Sequence, residues 1–244
     1  MSTRTVSGAK AQSAQAPQRQ QGLFIVIGIV VVAAIILVVA IVLSGGSSTQ
    51  TIDFAALNPT RTSDGAFIIG DPDAPITLIE FADFGCPHCQ EYLDTMHRFI
   101  QDYVVTGQAR FEFRMFPTAG GQQTVFAGAI AECVDEAQPG AFWQMYDKLF
   151  GLAMAGRYFT DDGIRGVVQS LGLNYTDILS CSSSADQLTK DMAYGQSQSV
   201  SGTPAVMVRY GDGPAQWISV GGTTYDRGAV SFDVISAAVT QANS

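Results

Sequence analysis

Apolar positions in this chain follow three patterns. From Leu23 to Leu43 no side chain is charged or strongly polar, a run of 21 residues. At ~1.5 Å per residue a helix of that length spans about 30 Å, the hydrocarbon thickness of a bilayer. The run is rich in Val and Ile, poor helix formers in water, but in lipid the backbone must bond to itself and helix is the expected state. A shorter run, Ile76-Thr77-Leu78-Ile79-Glu80-Phe81, predicts a strand over residues 76–82 that is apolar on both faces and suits the middle of a sheet. Directly after it, Cys89, Leu93, Met96, Ile100 and Val104 recur at three- and four-residue steps, which predicts a helix from about 87 to 104. Pro87 fits the first helical position, where no N–H is needed.

The remaining elements follow from the same periods. Ala66-Phe67-Ile68-Ile69 is a short candidate strand. Ala109 to Phe116 alternates, with Phe111, Phe113 and Met115 on one face and Arg110, Glu112 and Arg114 on the other. From about 120 to 198 the pattern is helical, with stretches at Val125–Val134, Phe142–Leu149, Ile164–Leu171 and from near Ala185 through Met192. The aromatics Phe142, Trp143 and Tyr146 sit at helical spacing and are expected in the core. Strands Ala205–Tyr210 and Gln216–Val220 follow, then a helix through Val230, Val234, Ile235, Ala238 and Val239. The order is a β-α-β unit and a β-β-α unit with a helical insertion between them. That defines an α/β sheet with helices on its faces.

Charge orients the long apolar run. Residues 1–22, a Gln/Ala/Ser-rich tail expected to be disordered, carry Arg4, Lys10 and Arg19 and no acid. The positive-inside rule then keeps this tail in the cytoplasm, makes 23–43 a transmembrane anchor and exports everything after Leu43. A cleaved signal peptide is the alternative, but its apolar core is ordinarily ~7–15 residues with a small-residue cleavage site. Residues 44–65 connect the anchor to the fold. They are flexible over 44–52 and enter the fold from about residue 55, with the first regular element expected at 66 in a domain spanning 66–244. All 22 acids lie in the exported part, giving it a net charge of about −12. An acidic composition without a basic run argues against nucleic acid as a partner. Four cysteines suit an oxidising compartment, periplasm or cell exterior.

Two of those cysteines carry the chemistry. Cys86-Pro87-His88-Cys89 lies at the strand-to-helix junction. Thiol–disulfide exchange needs an accessible attacking thiolate and a second thiol close enough to resolve the mixed disulfide. Cys86 falls at the exposed lip of the helix N-terminus, where the N–H groups and dipole favour a thiolate. Cys89 falls one turn on, on the buried face. His88, protonated or donating a hydrogen bond, would favour the Cys86 thiolate further. Half a zinc site is a weaker reading, because structural zinc takes four ligands and no second C-x-x-C exists. A permanent structural Cys86–Cys89 bridge is the other alternative. No cofactor is expected.

The stretch F-A-D-F-G-C-P-H-C, with Glu80 six positions before Cys86, resembles the active-site segment of the DsbA-like thiol–disulfide oxidoreductases of the thioredoxin superfamily. Ser201-Gly202-Thr203-Pro204-Ala205 resembles that family's cis-proline loop. The likeness covers about residues 63–242, helical insertion included. It implies a thioredoxin-like fold in which Pro204 is cis and faces the Cys86–Cys89 pair, although read alone Thr203-Pro204 is an ordinary trans turn. It implies that Thr203 offers its backbone to an extended substrate segment. It makes Glu80 a buried proton relay for Cys89, against the alternative of an acid reaching solvent at a strand end. It also implies a structural disulfide between Cys133 and Cys181, with a second redox relay as the alternative.

The expectation is therefore a membrane-tethered, extracytoplasmic oxidoreductase that introduces disulfides into reduced exported proteins. The resemblance implies re-oxidation by a quinone-linked membrane protein of the DsbB or vitamin-K-epoxide-reductase type. A disulfide isomerase or reductase is the alternative within the same chemistry. A non-catalytic peptide-binding or chaperone module is the alternative from another class.

Overall fold

The structure is a computed structural model that describes residues 51–157 and 159–244. The tail and anchor expected over 1–22 and 23–43 lie outside the described residues, and among the described residues no helix is long and apolar enough to cross a membrane. The unit from Ile52 to Ser244 is built on a seven-stranded mixed sheet. In chain order the strands are β1 (Thr60–Arg61), β2 (Phe67–Ile69), β3 (Ile76–Ala82), β4 (Arg110–Met115), β5 (Ala205–Tyr210), β6 (Gln216–Val220) and β7 (Thr223–Tyr225). In space they run β1-β2-β4-β3-β5-β6-β7.

The central strand β3 is buried along its whole length, as a run apolar on both faces requires. It pairs parallel with β4 and antiparallel with β5, so that Glu80 lies between Phe113 and Val206. The parallel β3–β4 pair needs a crossover, and helix α1 (Pro87–Phe99) supplies it. Tyr92, Leu93, Met96 and Phe99 form its buried stripe. The helix continues through a single π turn, Ile100–Val104, so the apolar period persists to residue 104 while the hydrogen bonding does not.

The insertion between β4 and β5 comprises α2 (Gly121–Ala137), α3 (Phe142–Met154), α4 (Asp161–Ser170), α5 (Tyr175–Cys181) and α6 (Gln187–Ser197). Helix α7 (Phe232–Ala242) closes the chain. Phe142, Trp143 and Tyr146 of α3 are buried against β4 and Phe84. Cys133 of α2 and Cys181 of α5 form a disulfide with their Cα atoms 5.9 Å apart, pinning the short α5 to the longest insertion helix.

Two features depart from the sequence expectation. Regular structure begins before residue 66, which shortens the connection expected over 44–65. Phe54 and Leu57 form a buried 3-10 turn, and Thr60–Arg61 adds β1 to the sheet edge. The apolar run Phe54–Leu57 is a single four-residue turn and β1 has two residues, each too short to establish a period. The polar face of β4 is also buried, under α6. Arg114 lies between Glu112 (2.6 Å), Asp191 (3.2 Å) and Asp64 (2.8 Å), with its guanidinium over the Tyr194 ring. Full pairing is what permits charges at such a depth.

Candidate active site

Strand β3 delivers Asp83-Phe84-Gly85 into the N-terminus of α1. The Cys86 N–H donates to the Asp83 carbonyl (3.0 Å), and Cys86, in extended conformation, caps the helix with Pro87 at its start. Gly85 is required there by close approach: a Cβ would lie 2.6 Å from the Gly120 Cα. Around this turn the Asp83 carboxylate collects five hydrogen bonds. Oδ1 accepts from the Gly85 N–H (2.7 Å) and the Thr124 hydroxyl (2.6 Å). Oδ2 accepts from the N–H groups of Thr118 (2.8 Å), Ala119 (2.7 Å) and Gly120 (2.9 Å), just before α2. Burial pushes the carboxyl up, but the Gly120 N–H, the Thr124 hydroxyl and the Ala119 and Thr118 N–H groups outweigh it and hold Asp83 below its ordinary value of 3.8.

The same segment reaches the other side of the site, where the Thr118 and Thr203 hydroxyls are 2.5 Å apart. The Thr203–Pro204 peptide is cis. Cys86 Sγ donates to the Thr203 carbonyl at 3.5 Å. Both Cys86 and Cys89 are free thiols. Cys86 is only 4% exposed, so it is not the open lip expected from helix position alone; the proline loop packed beside it leaves only a sliver of surface. Cys89 is fully buried. Burial, then the Glu80 charge, push the Cys89 thiol above its ordinary value of 9.0, against the Asp83 backbone and the Thr203 side chain, which favour the thiolate.

Glu80 does not reach solvent. It is 1% exposed, and burial pushes its carboxyl up to about 8. His88, by contrast, is exposed, and its Nδ1 lies 3.4 Å from Glu91 Oε2. That is its hydrogen-bond partner among the described residues; the structure does not bring the imidazole to the Cys86 sulfur. An i,i+3 acid on the same exposed helix face competes for the ring. Pro87 is exposed beside it. His88, Glu91, Tyr92, Thr203, Pro204, Gly228 and Ala229 line a groove of about 360 Å³ alongside the thiols.

The structure therefore gathers Cys86, Cys89, Glu80, Thr203 and Pro204 at one place, leaves His88 at the rim, and sets the Cys133–Cys181 bridge in the insertion. Sequence reasoning missed Asp83 and Thr118. A signal for Asp83 was present, since Asp-x-Gly is a turn in which the carboxylate accepts from the N–H two residues on. Nothing local marks Thr118, whose partner is distant in sequence.

A strand–turn–helix carrying two thiols against a cis-proline, with an α-helical insertion in the sheet crossover, defines the thioredoxin architecture in its DsbA-like form. Residues 62–210 match the family model described as thioredoxin. Disulfide bond formation protein D of Bacillus subtilis is 31% identical over 98 residues, 39% of this chain and 43% of that protein. The Na(+)/H(+) antiporter NhaA 1 of Salinispora arenicola is 28% identical over 183 residues, 73% of this chain but 25% of that protein. The chain thus spans less than half the length of either relative. The crystal structure of oxidised BdbD from Bacillus subtilis superposes with a TM-score of 0.58 at 22% identity, over 72% of this chain and 91% of that one. The chain belongs to the thioredoxin family.

Proposed function

We propose that the protein is a thiol–disulfide oxidoreductase that introduces disulfides into exported proteins. One observation carries this reading. Cys86 Sγ sits 3.5 Å from the carbonyl that precedes cis-Pro204, beside an open groove, while Cys89 is wholly buried. One sulfur can be reached by a substrate and the other only by the first. In the oxidised protein a substrate thiolate attacks Cys86 Sγ, and the Cys86–Cys89 bond breaks. Cys89 departs as a thiolate and takes the proton of Glu80. A second substrate thiolate then attacks the substrate's own sulfur in the mixed disulfide and expels Cys86. The substrate loses two electrons and gains a disulfide; the enzyme is left with two thiols. Thr203 offers its backbone to the substrate chain in strand-like pairing.

The electrons leave through a quinone-linked membrane protein of the DsbB or vitamin-K-epoxide-reductase type, and residues 23–43 hold the domain outside the cytoplasm beside that partner. The names of the Bacillus relatives, disulfide bond formation proteins, support the direction of transfer. Trapping tests the reading. Cys89→Ala, with Cys86 first converted to its glutathione mixed disulfide, should release glutathione and accumulate mixed disulfides with reduced exported proteins through Cys86, resolved on non-reducing gels and lost when Cys86 is also replaced. Adducts that survive Cys86→Ser would overturn it.

A further inference from the structure

Three buried side-chain polar atoms among the described residues have no hydrogen-bond partner in the protein, and two of them, Glu80 Oε2 and the Tyr146 hydroxyl, belong to side chains close enough for the Glu80 charge to act on the phenol. Glu80 on β3 stands opposite Phe113 on β4, and the edge of the Tyr146 ring meets Phe113 with centroids 5.1 Å apart. The rings of Phe84, Phe111, Trp143 and Phe150 surround Tyr146 further. A side chain wedged in this way cannot swing its hydroxyl elsewhere. Phenylalanine would fill the same volume without leaving a hydroxyl unpaired in an apolar core, which is destabilising. The titratable groups on which the Glu80 charge acts are Cys89 and Tyr92 from α1 and Tyr146 from α3. Its partners on β4 and β5, Phe113 and Val206, are apolar. Tyr92 is already committed, donating to the Val230 carbonyl at 2.6 Å. Asp147, which also acts on Tyr146, is bonded to His97 at 2.8 Å. Tyr146 is the uncommitted donor.

We propose that Tyr146 is a positioning residue of the exchange reaction: its hydroxyl donates to the Glu80 carboxylate, directly or across one buried water, once Glu80 has passed its proton to the departing Cys89 thiolate. The inference rests on the relay role of Glu80. The step moves one proton and no electrons. The Glu80 O–H bond breaks, the Cys89 S–H bond forms, and the new carboxylate gains the Tyr146 hydrogen bond. The carboxylate then regains a proton from solvent, because the reduced protein holds that proton up to about pH 8, and the hydroxyl is released. Burial and then the Glu80 charge keep the phenol well above its ordinary value of 10.0, so it remains a donor throughout.

The test follows reduction of the oxidised full chain by glutathione, with the rate corrected for glutathione thiolate at each pH. In the native protein this rate should fall as pH rises through the Glu80 titration, because the proton donor is lost. In Tyr146→Phe the carboxylate loses a donor, so the fall should move to higher pH by about one unit, a tenfold change in the proton affinity of Glu80. Glu80→Gln should remove the fall altogether. A Tyr146→Phe midpoint equal to the native one, with the fall absent in Glu80→Gln, overturns the role of Tyr146 and leaves that of Glu80. A fall that persists in Glu80→Gln overturns both. Carbon-13 NMR of labelled glutamate in Tyr146→Phe reads the Glu80 titration even if the kinetics are disturbed; an unmoved titration refutes the proposal.

Discussion

Asp83→Asn perturbs the joint between the redox turn and the proline loop. In the native protein one carboxylate serves five donors, three on Oδ2 and two on Oδ1. Asparagine keeps a single carbonyl oxygen. Facing it toward the three N–H groups before α2 turns its amide toward Gly85 and Thr124. The Thr124 hydroxyl can rotate to accept, but the Gly85 N–H is orphaned, at about 1–3 kcal/mol. The three remaining bonds lose their charge assistance, and with it roughly half their strength. The sum is about 3 kcal/mol of stability lost at pH 7. Its pH dependence has a fixed sign. Asp83 is held below its ordinary value, so the unfolded state binds its proton more readily; the stabilisation is present above pH 3.8 and fades as pH falls through the lower folded value. Urea unfolding of both proteins should therefore show a deficit that is full at neutral pH and shrinks in acid. A deficit below about 0.5 kcal/mol at pH 7, or one that stays constant into acid, would refute the reasoning.

Glu80→Gln should act in the opposite sense. The folded state holds the Glu80 proton up to about pH 8 against an ordinary value of 4.5, so ionisation opposes folding as pH rises between these values. Denaturant titration should find the reduced variant no more stable than native near pH 4.5 and about 3 kcal/mol more stable at pH 7. Replacing Cys133 and Cys181 together by Ala opens a loop of sequence separation 48 and should cost up to about 4 kcal/mol while leaving Cys86 exchange chemistry in place, read by unfolding and by exchange assay on one preparation. Equilibration of the Cys86–Cys89 pair with glutathione should give a potential near about −120 mV for a donor of disulfides; about −270 mV would assign a reductase.

How much of this was legible depended on whether the signal was local. Strand β3 runs over Ile76–Ala82 as its apolar run predicts, and the insertion begins at Gly121 and ends at Ser197, within a residue of the expected limits. The thiol pair declared itself because strand, proline and helix are contiguous around it. Helix α5 escaped because its seven residues hold too few apolar positions to establish a period. The edge strands β1 and β7, two and three residues long, were invisible for the same reason. The alternation of β4 marked Arg114 as polar-faced but gave no sign that α6 would cover it. Likewise the burial of Cys86 and the attachment of Asp83 to Thr118 arise from segments far apart in the chain. Tyr146 read correctly as core, yet its unpaired hydroxyl appears only when α3 is laid over β3 and β4.

The central claim is that Cys86 passes a disulfide to another protein, and disulfide transfer measures it directly. The full chain, oxidised at Cys86–Cys89, is mixed with a reduced, unfolded substrate bearing two cysteines, and both partners are followed by thiol-specific labelling and mass spectrometry. The account predicts one substrate disulfide formed for each Cys86–Cys89 pair reduced, and none with Cys86→Ser. Substrate that is bound but stays reduced, or transfer that survives Cys86→Ser, would contradict it.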